Sequence, residues 1–284
     1  MSRLFGTDGV RGRAGEHPLD HDTVSRLGAA LVRVRQRHGS GEAGRPMRFV
    51  VGRDTRESGD WIERELARGI QSEGGQLTSA GVIPTPAVAY LAREMDFDAG
   101  IVISASHNPY EDNGIKVFGG AGTKLTEQLE SSVEASVADA SWSVPAHPGR
   151  IEHDESDLAD HYRQHLLEIM KTAGPLAGSK IVVDCANGAT TPIAPPLFEQ
   201  LGFDVETIGV SPNGRNINLD CGSTHLDGLA KTVVAKRARL GVAFDGDGDR
   251  ALLVDHSGKV VDGDAILLMS AIHLKERGRL PGPA

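Results

Sequence analysis

The chain has 284 residues, of which 39% are hydrophobic, 24% charged and only 4% aromatic. That is the composition of a soluble globular protein with length for about two domains and cores built from Val, Ile, Leu and Ala. A formal net charge of −9 argues against a general nucleic-acid binder, but leaves room for an anionic substrate where Arg, Lys and a cation are concentrated.

No apolar run nears the ~20 residues of a membrane span, and Met1-Ser2-Arg3-Leu4-Phe5-Gly6 has no signal-peptide core. Neither nucleic acid nor a membrane is therefore an expected partner, and a cytoplasmic location is the default expectation. Cys185 and Cys221 fall in no metal-ligand spacing and read as buried or incidental thiols.

In chain order, Phe5-Gly6-Thr7-Asp8-Gly9-Val10-Arg11-Gly12 places three glycines around Thr and Asp. Such a backbone can approach a ligand closely, and Arg11 offers a planar charged fork suited to phosphate. A glycine-rich turn explains the stretch as simply. Thr23–Arg37 reads as an amphipathic helix, and His38–Pro46 as a loop. A strand at Arg48–Gly52 runs into Arg53-Asp54-Thr55-Arg56, which reads as a helix cap and packing network, in preference to a role beside the active site, before a helix over Ser58–Gly74. A strand at Gln76–Ala80, a proline-fixed turn through Thr85 and a helix at Ala87–Met95 follow.

The β-branched run Ala99–Ile103 suits a strand buried on both faces. It breaks abruptly into Ser104-Ala105-Ser106-His107-Asn108-Pro109. Polar residues crowded onto the C-terminal end of a buried strand stand where open α/β sheets bind ligands. Ser106 is the candidate nucleophile, needing a base, a metal ion or oriented donors; His107, Asn108 and Lys116 can supply donors or charge. Turn chemistry alone accounts for the same residues equally well.

Alternating strands and helices indicate a doubly wound α/β domain. A helical Thr126–Ala138 and a loop at Ser141–Pro148 close it, with a boundary near residue 152. A second unit of the same design follows: a helix at Asp157–Lys171, a strand at Lys180–Asp184, a helix at Pro192–Leu201 and a strand at Asp204–Ile208. Next come the long polar loop Asn213–His225, a helix at Leu226–Arg237 and a strand at Leu240–Phe244. That strand opens into Asp245-Gly246-Asp247-Gly248-Asp249-Arg250. Three carboxylates alternating with glycine can wrap one hard cation such as Mg²⁺. An EF-hand loop is excluded because Arg250 stands where that pattern wants glycine. A strand at Ala251–Asp255, a hairpin and a helix at Ala265–Arg277, capped by Asp262-Gly263-Asp264, end the pattern.

Ser104–Pro109 with Asn113-Gly114-Ile115-Lys116 resembles the active-site loop of the α-D-phosphohexomutases, and Asp245–Arg250 resembles their metal-binding loop. The opening Phe5–Gly12 and the Asn216-Ile217-Asn218 and Cys221–His225 segments are most similar to the phosphoglucosamine mutase branch, less so to phosphomannomutases or phosphoglucomutases. The resemblance covers two successive doubly wound α/β domains, domain I over 1–152 and domain II over 153–256, with a truncated third over 257–284. The family's later sugar-binding and phosphate-binding loops have no counterpart in the sequence.

The resemblance implies a phosphosugar mutase that interconverts glucosamine 6-phosphate and glucosamine 1-phosphate, with a bisphosphorylated sugar as intermediate and activator. Ser106 would be the phosphoserine, with Mg²⁺ held by Asp245, Asp247, Asp249 and Ser106. Arg11, His107, Lys116 and Arg250 would be catalytic, and Asn108, Arg11 and Lys116 would contact substrate. A catalytically incomplete metal- and phosphate-binding fragment is the competing expectation, and the surface left by the final helix is open to a homodimer.

Overall fold

The computed structural model describes residues 4–37, 45–170 and 178–282. Most of the loop expected at His38–Pro46, and Lys171 at the end of an expected helix, lie outside the described residues.

Strand β2 (Arg48–Arg53), helix α2 (Gly59–Ser72), strand β3 (Gln76–Val82), helix α3 (Thr85–Glu94) and strand β4 (Ala99–Ile103) form the doubly wound heart of the first sheet. Here β2 pairs in parallel with both β3 and β4. Alternation along the strands explains why both faces are covered. Phe49, Val51, Ile101 and Ile103 join the core under α2 and helix α1 (His21–Arg37), whereas Val50 and Val102 join the core under α3. All five residues of β4 are buried, as its β-branched run demands.

Two strands extend this sheet where the sequence reads as turn and motif. They are β1 (Val10–Arg13) and β5 (Asp112–Gly119), paired antiparallel with each other and, through β5, with β4. The sheet is therefore mixed, in the order β1-β5-β4-β2-β3-β6, where β6 is the short strand Glu152–His153. Helix α4 (Glu127–Ala138) packs on α1, and helix α5 (Glu155–Met170) lays Leu158 and Tyr162 into the α3-side core.

The second sheet runs β11-β10-β9-β7-β8. Its strands are β7 (Lys180–Asp184), β8 (Asp204–Ile208), β9 (Leu240–Phe244), β10 (Ala251–Asp255) and β11 (Val260–Val261). Strand β7 is parallel to β8 and β9, and the β9-β10-β11 meander is antiparallel. Helix α7 (Asp227–Lys236) covers one face through Leu229 and Val233; helix α6 (Ala194–Gln200) covers the other through Ala194.

Helix α8 (Gly263–Glu276) is capped by Asp262, whose side chain accepts the Ala265 N–H at 2.9 Å; none of its residues is buried. Among the described residues, no helix is long and apolar enough to cross a membrane. The fold brings the loops leaving the C-terminal ends of β4 and β9 into contact, and the candidate site lies where they meet.

Candidate active site

Ser106 sits in the left-handed region at φ +56° with its side chain fully buried. Few non-glycine residues adopt that conformation, and they do so where surrounding bonds enforce it. Here Ser104 Oγ accepts the Ser106 N–H at 2.9 Å and donates to Asp54 Oδ2 at 2.5 Å. Ser106 Oγ in turn donates to Asp245 Oδ2 at 2.6 Å, from one sheet's loop to the other's. The contact is close at the backbone as well. A Cβ on Gly246 would stand 2.5 Å from the Ser106 carbonyl oxygen, so only glycine fits there.

Asp245, Asp247 and Asp249 can each offer an oxygen, all within 4.8 Å of one another. Asp247 Oδ1 is buried and has no hydrogen-bond partner, although Asp247 Oδ2 accepts from Thr85 Oγ1 at 2.6 Å and Lys116 Nζ at 2.8 Å. A buried, unsatisfied carboxylate oxygen beside two further carboxylates is the donor set a hard cation takes. The residues present thus fit a divalent metal.

The charges here are strongly coupled. Burial and the neighbouring Asp247 and Asp249 push Asp245 up to about 7, against the Ser106 hydrogen bond that lowers it. Asp247 goes the other way: despite burial, the Lys116 ammonium holds its carboxyl below the usual range. Lys116 is only 3% exposed and lies 2.8 Å from Asp247, 3.2 Å from Asp249 and 3.1 Å from Asp8. Burial alone would favour its neutral form, but the three carboxylates together raise its pKa and keep it charged.

The remaining expected residues gather around this centre. His107 Nδ1 is 3.4 Å from Ser106 Oγ and 3.3 Å from Arg250 Nη1. Its pKa is lowered by partial burial and by the Arg250 and Arg11 charges. Arg11 pairs with Asp8 at 2.7 Å, while its buried Nε has no partner. A hollow of about 280 Å³ beside it is lined by Gly6, Thr7, Asp8 and Gly9. Asn108 is in the loop, but its side-chain amide donates to Asp112 Oδ2 at 2.9 Å.

Four neighbours of the site lie in stretches that the sequence marks without giving these residues a role. Asp8 bridges Arg11, Lys116 and Lys124. Thr85 holds Asp247 by its hydroxyl, and by a backbone N–H to the Asp247 carbonyl at 2.8 Å. Arg56, read as part of a packing network, donates to the Ser106 and Asn108 carbonyls at 3.1 and 2.8 Å. Asn218 donates to the Ser106 carbonyl at 3.0 Å. The available signal was positional: like Ser106 and Asp245, Asp54 and Arg56 follow the C-terminal end of a buried strand.

Comparison with known proteins gives the family. The models for phosphoglucomutase/phosphomannomutase alpha/beta/alpha domains I and II match residues 2–143 and 160–258. The phosphoglucosamine mutase of Solibacter usitatus is 49% identical over 280 residues, covering 98% of this chain and 61% of that protein. That of Pseudomonas aeruginosa is 47% identical over 285 residues, covering 99% and 62%. The chain thus spans about three fifths of the length of these curated relatives.

Among solved structures, a phosphoglucomutase/phosphomannomutase family protein from Burkholderia thailandensis superposes with a TM-score of 0.80 at 27% identity, over 98% of this chain and 60% of that one. An Aspergillus fumigatus N-acetylphosphoglucosamine mutase, solved with GlcNAc-6P and magnesium, shares the fold at a TM-score of 0.54 and 17% identity, over 98% and 56%. With both domain models matched in order and relatives of nearly half identity across the chain, the protein belongs to the phosphoglucomutase/phosphomannomutase family.

Proposed function

We propose that the protein interconverts glucosamine 6-phosphate and glucosamine 1-phosphate through a phosphoserine at Ser106. The observation that supports this most directly is the buried Ser106 hydroxyl lying 2.6 Å from Asp245 at the head of the three-aspartate cluster. The choice of sugar follows the relatives at 46–49% identity, which are phosphoglucosamine mutases; phosphomannomutase or phosphoglucomutase activity is the alternative.

In the forward half-reaction a sugar hydroxyl attacks phosphorus. The bond from phosphorus to Ser106 Oγ breaks, a new bond to the sugar oxygen forms, and the hydroxyl proton ends on Ser106. The bisphosphorylated sugar then reorients and returns its other phosphoryl group to Ser106. His107, with its pKa lowered and Nδ1 near Ser106 Oγ, suits the relay of that proton. Lys116, kept charged by its carboxylate neighbours, supplies fixed positive charge toward the transferring oxygens. Arg11, with a buried Nε left over, and Arg250 orient phosphate oxygens. Asn108 shapes the loop beneath the substrate. Asp245, Asp247, Asp249 and the modified Ser106 would hold a divalent cation such as Mg²⁺, which when bound would supply charge neutralisation at the phosphoryl group.

The test is Ser106→Ala in a chain completed to the relatives' length, assayed on glucosamine 6-phosphate. Turnover should vanish, and retained turnover would refute the nucleophile assignment. Comparison of kcat/KM on glucosamine, mannose and glucose phosphates decides the sugar.

A further inference from the structure

Asp54 and Arg56 form an ion pair with both side chains wholly inaccessible to solvent. A buried pair of this kind is weak evidence for stability, since desolvation offsets its attraction. What it holds is more informative. Asp54 Oδ2 accepts Arg56 Nε at 2.8 Å and Ser104 Oγ at 2.5 Å, while Asp54 Oδ1 accepts the Arg56 N–H at 3.0 Å. The guanidinium then spends its outer donors on backbone carbonyls of the serine loop and the start of β5. Nη2 reaches the Ser106 and Asn108 carbonyls at 3.1 and 2.8 Å; Nη1 reaches Asp112 at 2.9 Å and the Pro109 carbonyl.

The second sheet's domain reaches the same two carbonyls. Asn218 Nδ2 donates to Ser106 O at 3.0 Å and Asn108 O at 3.3 Å. Asn218 itself sits at φ +59°, a region asparagine tolerates better than most residues, and its N–H is tied to the Ala186 carbonyl at 2.9 Å. A planar fork from one domain and an amide from the other therefore grip one loop whose central residue, Ser106, is held left-handed.

We infer that Arg56 and Asn218 are positioning residues that together fix the left-handed Ser106 and so aim its oxygen at the aspartate cluster. The inference deepens the mutase reading and rests on it for the chemistry, but the geometry it claims is measurable separately. Both side chains bond to the Ser106 carbonyl, whereas Ser106 Oγ has His107 and Asp245 as its partners, so both act through the Ser106 backbone. The polar loop containing Asn218 thereby has a task in the phosphoryl-transfer half of the site, apart from any contact with sugar.

Two variants test this. Asn218→Gly removes the amide and keeps the left-handed backbone accessible. Arg56→Lys keeps a charge beside Asp54 and loses the fork. Intact mass would follow phosphoryl uptake on Ser106 from glucosamine 1,6-bisphosphate with Mg²⁺, and NMR would record the Ser106 Cα and Cβ shifts. Both variants should move those shifts away from the left-handed signature. Both should also slow uptake at saturating bisphosphate by about 10²-fold, the scale of an ångström's misplacement, with the half-saturating concentration unchanged.

Wild-type uptake rates in the variants, or a raised half-saturating concentration at an unchanged maximal rate, would overturn the inference. Unchanged Ser106 shifts would do the same. If the wild-type chain takes up no phosphoryl group, the mutase reading fails for this chain, and the shifts alone decide the positioning.

Discussion

Gly246 shows how little room the site leaves. Its missing side chain would meet Ser106 O at 2.5 Å, Ile217 Cδ1 at 2.8 Å and Asn218 Nδ2 at 2.9 Å. Gly246→Ala should cost about 1–3 kcal/mol of stability by overpacking and slow phosphoryl uptake by roughly 10²-fold. Thermal melting and intact mass check the two effects, and an alanine variant with normal uptake would show that the loops can part without consequence.

Lys116 gives a pH prediction. Its folded-state pKa is raised, so the stability it contributes is fully present below the unfolded lysine value near ~10.4 and is lost as pH rises above it. The stability difference between wild type and Lys116→Met should be flat from neutral pH to about pH 10 and then shrink. Chemical denaturation across that range measures it; a difference already narrowing at neutral pH would contradict the raised value.

The two thiols give a third prediction. Burial pushes Cys185 up to about 12 and Cys221 up to about 11. Thiolate is the reactive form, so alkylation of the folded protein at pH 8 should run at least about 100-fold slower than that of free cysteine.

At this scale the proposed reacting groups stood out in the sequence, because Ser106, His107, Lys116 and the three aspartates belong to short contiguous motifs. The tasks of Arg56, Thr85 and Asn218 did not. Thr85 and Asn218 suit caps and turns equally well and Arg56 a packing network, and their tasks arise only from partners such as Asp247 and the Ser106 carbonyl, distant in sequence.

Among the elements, most strands and helices were readable from apolar periodicity to within a few residues. The exceptions are instructive. Strand β5 begins Asp-Asn-Gly, a turn signal by composition, and becomes a strand because β4 and β1 flank it on both sides. Strand β1, with glycine at its third position, owes its form to the same pairing. Local preference is overruled by tertiary hydrogen bonding in both. The pairing sets Arg11 opposite Gly114, and Asp8 then bridges Arg11 and Lys116, a link to Lys116 that the sequence order conceals.

Helices α1 and α2 meet backbone to backbone. A Cβ on Gly69 would fall 1.9 Å from the Ser25 carbonyl oxygen, with no flexible side chain to yield. Gly69→Ala should therefore destabilise the first domain by about 3 kcal/mol or more, read as a lowered denaturation midpoint with an unchanged slope. A neutral substitution there would mean that the two helices do not pack this closely.

For the molecule as a whole, the two sheets are covered on both faces, while α8 leaves Leu267 69%, Leu268 62%, Met269 52% and Ile272 49% exposed. A contiguous apolar face in water binds hydrophobic dyes and promotes association. The chain should enhance ANS fluorescence at neutral pH, and Leu267→Glu with Leu268→Glu should abolish most of the enhancement while the melting midpoint barely changes. Dye binding undiminished in the double variant would place the apolar surface elsewhere.

The hydrogen bond between Ser106 and Asp245 joins residues 139 apart in sequence. At ribosomal rates of about 5–20 residues per second, the serine loop emerges on the order of ten seconds before the aspartates that complete it. Throughout that interval the nascent chain can assemble β1 to β5 and present a serine with no carboxylate beside it. The proposed phosphoryl-transfer site is therefore completed only with the second sheet, as a late event in the protein's own biosynthesis, and a ribosome stalled between the two loops would carry Ser106 without its aspartate partner.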